Sequence, residues 1–600
     1  MTTAVELEEL ASLPEFYHPR VSPDGDRVAF YYDETGRNEL YVQDLASGER
    51  TQVSDGNVPR AARWPISWDG DGERVFFHQD EGGDEQNDIH AMTLDGEVEV
   101  VVEVDGQAAF HDVTSDGRYV LYGSDAGEQM NLYRYDTRED ETEQLTAYDQ
   151  PVHGGQFGPD EERIAYVANE TDALENRDAY VMNADGGEKQ KLDIGEVGAE
   201  AYPNDWHPDG DRLLVSDNTT DLGRVGVYDL ETDEVEWLSG GEYEESGAAF
   251  GPDGDTVVAS RVRNAATMPV EYDLESGDVT AYDLDEGVAG LAGDEHFDGD
   301  GRAILAHTTS DERKTLYAYD RESGETETLI APAYGDIDPD TFVESEYVTY
   351  ESEDSLEIGA LLYDSGERPS PAVVMVHGGP HARSMPRFDL YAQFLVSRGY
   401  TVLQPNYRGS TGRGREFKHR IHNDWGGGEQ ADVAAGGEWL QNLDWVDADR
   451  VAVMGGSYGG YSAYWQMVQY PELWATGIAQ VGITDLLQMY ENSMPHFQSM
   501  LEQQLGDPEE NEEFWRERSP LTHVENIRNP IFIVHGVNDP RCPVDQARVF
   551  RDALLDMGWT EGEDGDFEYE ELGAEGHGST DINQKIRQFK LVDDFLDRRL

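Results

Sequence analysis

The chain has 600 residues, 38% of them apolar and 10% aromatic, which is enough for more than one core and too much for global disorder. It carries 126 acidic against 43 basic side chains, only six of the latter lysines, for a formal net charge of −83. Such a field repels phosphate backbones and anionic lipid, so nucleic acid and membranes are excluded as partners; the single cysteine, Cys542, excludes an intrachain disulfide framework and a thiolate metal cluster.

The acids run through the whole chain and form no tail, so they read as a solvated surface. Concentrated salt screens the self-repulsion of such a surface, which predicts a protein from a halophilic organism. The opening "MTTAVELEELASLPEF" has no basic n-region, apolar core segment or twin arginine, and no apolar run approaches the ~20 residues of a membrane helix. The expectation is a cytoplasmic protein whose residues 1–16 form a helix packed on the catalytic half.

From residue 17 a phrase recurs: "SPDGDRVAF" at 22, "DGDGERVFF" at 69, "TSDGRYVLY" at 114, "GPDEERIAY" at 158, "HPDGDRLLV" at 207, "GPDGDTVVA" at 251 and "DGDGRAILA" at 298. The matching aspartates, Asp24, Asp71, Asp116, Asp160, Asp209, Asp253 and Asp300, are 47, 45, 44, 49, 44 and 47 residues apart. Each phrase sets a turn before an alternating apolar strand, and further strands such as "ELYVQDLASGE" and "RVGVYDLETDE" follow. Four short strands per period of this length predict propeller blades, and seven copies predict an all-β, seven-bladed propeller over 17–335. The aspartates are read as turn caps, not metal ligands.

From about 370 the texture changes. Apolar strands such as "AVVMV", "TVLQP", "RVAVMG", "IFIVHG" and "FEYEEL" alternate with helical stretches such as "EQADVAAGGEWLQNL" and "DINQKIRQFKLVDDFLDRRL". Continuous apolar strands between helices predict a mostly parallel sheet covered on both faces, an α/β-hydrolase domain over 336–600.

In that frame "GGSYGG" puts Ser457 where a strand turns sharply into a helix, with small neighbours on either side. A serine hydroxyl is a weak nucleophile unless a histidine takes its proton and a carboxylate holds that histidine, so partners are sought downstream in the order Ser, Asp, His. Asp539 in "HGVNDPR" lies after a buried strand, 82 residues on; His577 in "GHG" lies after the next strand, 38 residues further. Either residue alone reads as well as a turn or surface group; in this order and at strand ends they read as a triad. The N–H of Tyr458 is one candidate donor to the oxyanion, and the loop of His377, Gly378, Gly379 and Pro380 offers the second. The histidines His377 and His381, and the pair in "HRIH", lack carboxylate or cysteine partners at ligand spacing, so no metal and no cofactor are expected.

The propeller repeats together with "HGGPHAR", "NYRGSTGRG", "GGSYGG", "HGVNDPR" and "GHG" resemble the prolyl oligopeptidase family of serine peptidases, nearest the acylaminoacyl peptidase type. The resemblance implies the triad Ser457, Asp539 and His577, oxyanion donors Gly379 and Tyr458, and Arg541 as the group that binds the substrate's P2 carbonyl. It also draws the P1 pocket from 484–518, where Tyr490, Phe497 and Trp515 are candidates. A paired-glutamate motif that would hold a free amino terminus is not recognised in the propeller, which leaves dipeptide release open. The resulting expectation is a serine peptidase acting on short peptides, releasing N-acylated residues, with room for a homo-oligomer. Dipeptidyl aminopeptidase-like activity and esterase activity are the alternatives within the same chemistry. An inert propeller-hydrolase binding protein is the alternative of another class.

Overall fold

The computed structural model describes residues 6–60, 62–80, 84–127, 129–573, 575–578 and 582–600. Its amino-terminal half is a run of antiparallel sheets. Four-stranded sheets cover 67–102, 108–144, 153–191 and 201–237. In each, the repeated phrase supplies the second strand, Arg74–Gln79, Tyr119–Ser124, Arg163–Ala168 and Arg212–Asp217. The turns ahead of these strands follow from local chemistry. Gly72 and Gly210 take φ of +68° and +78°, where a Cβ is strained. Asp116 and Asp209 accept the N–H groups of Arg118 and Asp211 at 3.0 and 2.9 Å, so these aspartates cap their own turns.

Neighbouring sheets are joined by inward aspartates. The carboxylates of Asp112, Asp205 and Asp294 accept the N–H groups of Phe157, Phe250 and Trp68 at 2.7, 2.7 and 2.9 Å. The two ends of the propeller meet without strand exchange: Phe16–Val21 pairs on one edge with Arg27–Tyr32 and on the other, in parallel, with Gly293–Asp294. Gln43 adds a hydrogen bond to the carbonyl of Leu329 at 2.9 Å.

The carboxyl-terminal half is built on one eight-stranded sheet. Its order is Glu346–Glu351, Glu357–Tyr363, Thr401–Asn406, Ser370–Val376, Val446–Gly456, Thr476–Gln480, Ile531–Gly536 and Phe567–Leu572, parallel from the third strand on. Both faces are covered, which is why these strands read as unbroken apolar runs. Within 370–376 the side chains alternate: Ala372, Val374 and Val376 join the core under helices Gly428–Gln441, Tyr458–Gln469 and Asp545–Asp556. Val373 joins the opposite core with helices Leu390–Ser397 and Ile582–Arg599. Leu10 and Ala11 of the short helix Leu7–Ala11, with Leu13, are buried in that second core beside Phe589 and Phe595. The halves also meet through charge pairs on the catalytic face, Lys418 with Glu200 at 2.7 Å and Arg415 with Glu196 at 3.1 Å. No helix among the described residues is long and apolar enough to cross a membrane.

Candidate active site

Ser457 occupies the corner between strand Val446–Gly456 and helix Tyr458–Gln469, with φ +58° and ψ −121°. The glycines of "GGSYGG" are required by contact. A Cβ on Gly455 would stand 2.4 Å from the Gly459 backbone, one on Gly459 2.1 Å from the Val376 carbonyl oxygen, and one on Gly460 2.6 Å from that of Gln480. The N–H of Ser457 donates to the Gln480 carbonyl at 3.0 Å, which fixes the strained corner to the next strand.

His577 donates from Nδ1 to Asp539 Oδ2 at 2.7 Å. The other oxygen of Asp539 accepts the N–H groups of Arg541 and Cys542, both at 2.9 Å, so the carboxylate cannot swing away. Asp539 is buried beneath His577, and the buried His535 lies 3.6 Å from Oδ2, the oxygen that His577 bonds, while bonding the Cys542 carbonyl at 2.7 Å. Ser457 and His577 line one cavity of about 570 Å³. A serine hydroxyl, an imidazole and an oriented carboxylate are thus assembled on one sheet edge. The Cys542 thiol is close enough to hydrogen-bond the serine, and burial raises its pKa, so it behaves as a small apolar wall.

The loop carrying Gly379 abuts this corner. A Cβ on Gly378 would lie 3.4 Å from Ser457 Cβ, and Gly379 takes φ +122°. His377 hydrogen-bonds Ser410 at 2.9 Å and stacks on Tyr407, and His381 bonds the Gly409 carbonyl at 2.8 Å, so both hold the loop in place. Burial pushes His377 down to about 4 and His381 down to about 3. The side chain of Tyr458 is buried and donates to Glu429 at 2.9 Å. Its main-chain N–H begins the helix after Ser457.

Arg541 points to the propeller. Its Nε lies 2.9 and 3.0 Å from the two carboxylate oxygens of Glu85, which is 2% exposed and also paired with Arg63. Glu85 has φ +58°, a strained conformation for a side chain of its size. Phe497 lies under the Arg541 guanidinium at 5.9 Å. Tyr490 hydrogen-bonds Glu502 and meets Trp515 edge-on at 5.5 Å. The expectation that Trp515 lines the P1 pocket is corrected: it is fully buried in the hydrolase core and bonds the Gly506 carbonyl at 3.2 Å, so it backs Tyr490. Glu85 escaped the sequence reading because "DEQND" is one acidic stretch among 126 acids.

A β-propeller ahead of an α/β-hydrolase sheet, with a serine on its strand-to-helix corner, defines a class of two-domain serine hydrolases. The sequence model of the prolyl oligopeptidase family matches residues 386–600, and that of the TolB beta propeller domain matches 10–179. The dipeptidyl aminopeptidase BIII of Pseudoxanthomonas mexicana is 33% identical over 253 residues, 40% of this chain and 37% of that protein. The uncharacterized peptidase YuxL of Bacillus subtilis (strain 168) is 26% identical over 580 residues, 90% of this chain and 84% of its own. The acylaminoacyl peptidase structure of Pyrococcus horikoshii shares the fold, with a TM-score of 0.73 at 21% identity, covering 100% of this chain and 98% of that one. Over residues 386–600 the chain is similar to the prolyl oligopeptidase family, and this match with its relatives supports a serine peptidase.

Proposed function

We propose that the protein cleaves short peptides near an amino end that carries no charge, as an N-acylated or internal residue does, through an acyl-enzyme. Ser457 Oγ attacks the scissile carbonyl carbon while its proton passes to His577 Nε2, with Asp539 holding the imidazole from Nδ1. The main-chain N–H groups of Gly379 and Tyr458 receive the oxyanion. The C–N bond breaks as His577 returns the proton to the leaving amine, and water, deprotonated by His577, then frees the acyl group.

The observation that carries this reading is the joint occupancy of one cavity by Ser457 on its strained corner and His577 on its fixed Asp539. The uncharged end follows from the Arg541 cluster. Two guanidinium groups share one carboxylate there, so Arg63, Glu85 and Arg541 together carry one positive charge. A free ammonium is repelled by that sum, whereas a carbonyl accepts from guanidinium N–H groups that face away from Glu85. Tyr490 and Phe497 are the P1 candidates beside this cluster. We also infer a seven-bladed ring over 17–335, a catalytic domain over 336–600, and a halophilic, cytoplasmic setting. A peptide library offered with free, acetylated and internal cleavage sites tests the substrate reading. Acetylated and internal sites should lead; a preference for free amino ends at the second bond would replace it with dipeptide release.

A further inference from the structure

The cavity that holds Ser457 and His577 adjoins a second of about 260 Å³, and the two share Leu13, Tyr17 and Lys585 as walls. Arg541, Tyr490 and Phe497, assigned to the acyl side of the substrate, are not among the walls of either, and Arg63 joins the second cavity to the Arg541 cluster, through Glu85. The first cavity is walled by Gly576, His577 and Gly578, so this space lies on the side of His577, the group that hands a proton to the departing amine. Its charge runs against that of the molecule. Among the described residues the second cavity is lined by Arg37, Arg60, Arg63 and Lys585 and by the acid Asp33, in a chain with almost three acids for each base.

The cations are placed in sequence along the opening. Arg60 is exposed at the rim, Arg37 and Arg63 are 31% and 22% exposed further in, and half-buried Lys585 stands at the junction with the Ser457 cavity. Arg37 is held in position by the Val58 carbonyl at 2.7 Å and by Glu39 at 3.1 Å. Burial lowers the pKa of Lys585 while Asp33 and Glu15 restrain the fall, so its ammonium sits in a poorly hydrated place and gains from an anion.

We propose that this opening is a leaving-group subsite in which Lys585, Arg37 and Arg60 receive the free C-terminal carboxylate of a short peptide substrate. The inference rests on the peptidase reading of Ser457. It makes the enzyme measure a peptide from its carboxyl end and favours products already cut by other peptidases over loops of intact proteins.

The test compares one acetylated tetrapeptide as free acid and as C-terminal amide, at ~1 M salt where the Debye length is about 3 Å. The net charge of the molecule favours the amide, so a preference for the acid requires a local site. We expect kcat/KM for the acid to exceed that for the amide by about tenfold, the scale of one charge-assisted hydrogen bond. The ratio should collapse toward one in Arg60→Gln and in Lys585→Gln; Arg60, exposed at the rim, keeps the test informative if Lys585→Gln does not fold. Cleavage of both peptides at equal rates overturns the subsite and leaves the peptidase standing. If neither is cleaved, the peptidase reading fails, and calorimetry on Ser457→Ala decides the subsite. Tighter binding of the acid supports it; equal binding overturns it.

Discussion

Arg541, two residues past Asp539, reaches across the domain boundary with its Nε equidistant from the carboxylate oxygens of Glu85, at 2.9 and 3.0 Å. The carboxylate that fixes the guanidinium thus comes from the propeller. The main-chain N–H of Arg541 also pins Oδ1 of Asp539.

That pairing predicts how substitutions divide between substrates. Arg541→Lys keeps the charge and loses the fork, so kcat/KM on acetylated peptides should fall on the order of tenfold to a hundredfold, while an aryl ester with no P2 carbonyl is much less affected. Glu85→Gln should act in the same direction by releasing the guanidinium. Equal losses on both substrates would show that Arg541 supports the Asp539 loop instead of contacting substrate.

The seam between the halves carries a group of histidines. His381 and His422 approach at 3.4 Å, His419 stacks on His422, and the Lys418–Glu200 pair and Arg415 lie beside them. Burial is the first cause of depression in each: His381 is held down at about 3, His419 at about 4, and His422 is lowered as well, with neighbouring cations adding to the effect and Glu200 opposing it. The folded state therefore binds fewer protons than the unfolded chain, whose histidines titrate near 6.5. Their contribution is complete above about pH 6.5 and is lost as pH falls toward about 4. Urea melts should show the midpoint falling through this window, and His419→Gln should flatten the fall. An unchanged slope in the variant would remove the histidines from the acid response.

Salt should act in the opposite sense to acid. Folding concentrates the net charge of −83, and the repulsion is strongest when screening is weakest. Between ~0.1 M and ~1 M salt the Debye length contracts from about 10 Å to about 3 Å, so the melting temperature and activity should climb steeply across ~0.1 to ~2 M KCl. A flat melt would contradict the halophilic setting without touching the chemistry.

What the sequence made legible has a common physical basis. The glycines around Ser457 are dictated by backbone contacts of 2.1 to 2.6 Å, so the corner leaves a local signature. Asp539 and His577 sit at the ends of successive strands, and chain order alone finds them. The repeat aspartates cap turns two residues long, again a local matter. Glu85 and Lys585 left no such mark, because their roles arise only when the fold brings residue 85 to 541 and 585 to 457. Trp515 shows the converse limit: an aromatic in the right segment reads the same whether it faces a pocket or the core, and packing against Tyr490 decided for the core.

The account stands on Ser457 being an activated nucleophile, and a fluorophosphonate probe reads that directly. At working salt the folded protein should take up one equivalent of probe, with the adduct mapped to Ser457. Labelling should vanish in Ser457→Ala and slow by on the order of 10^4 or more in His577→Ala, since triad members act as a unit. No labelling of the folded protein, or labelling that persists in Ser457→Ala, would contradict the assignment.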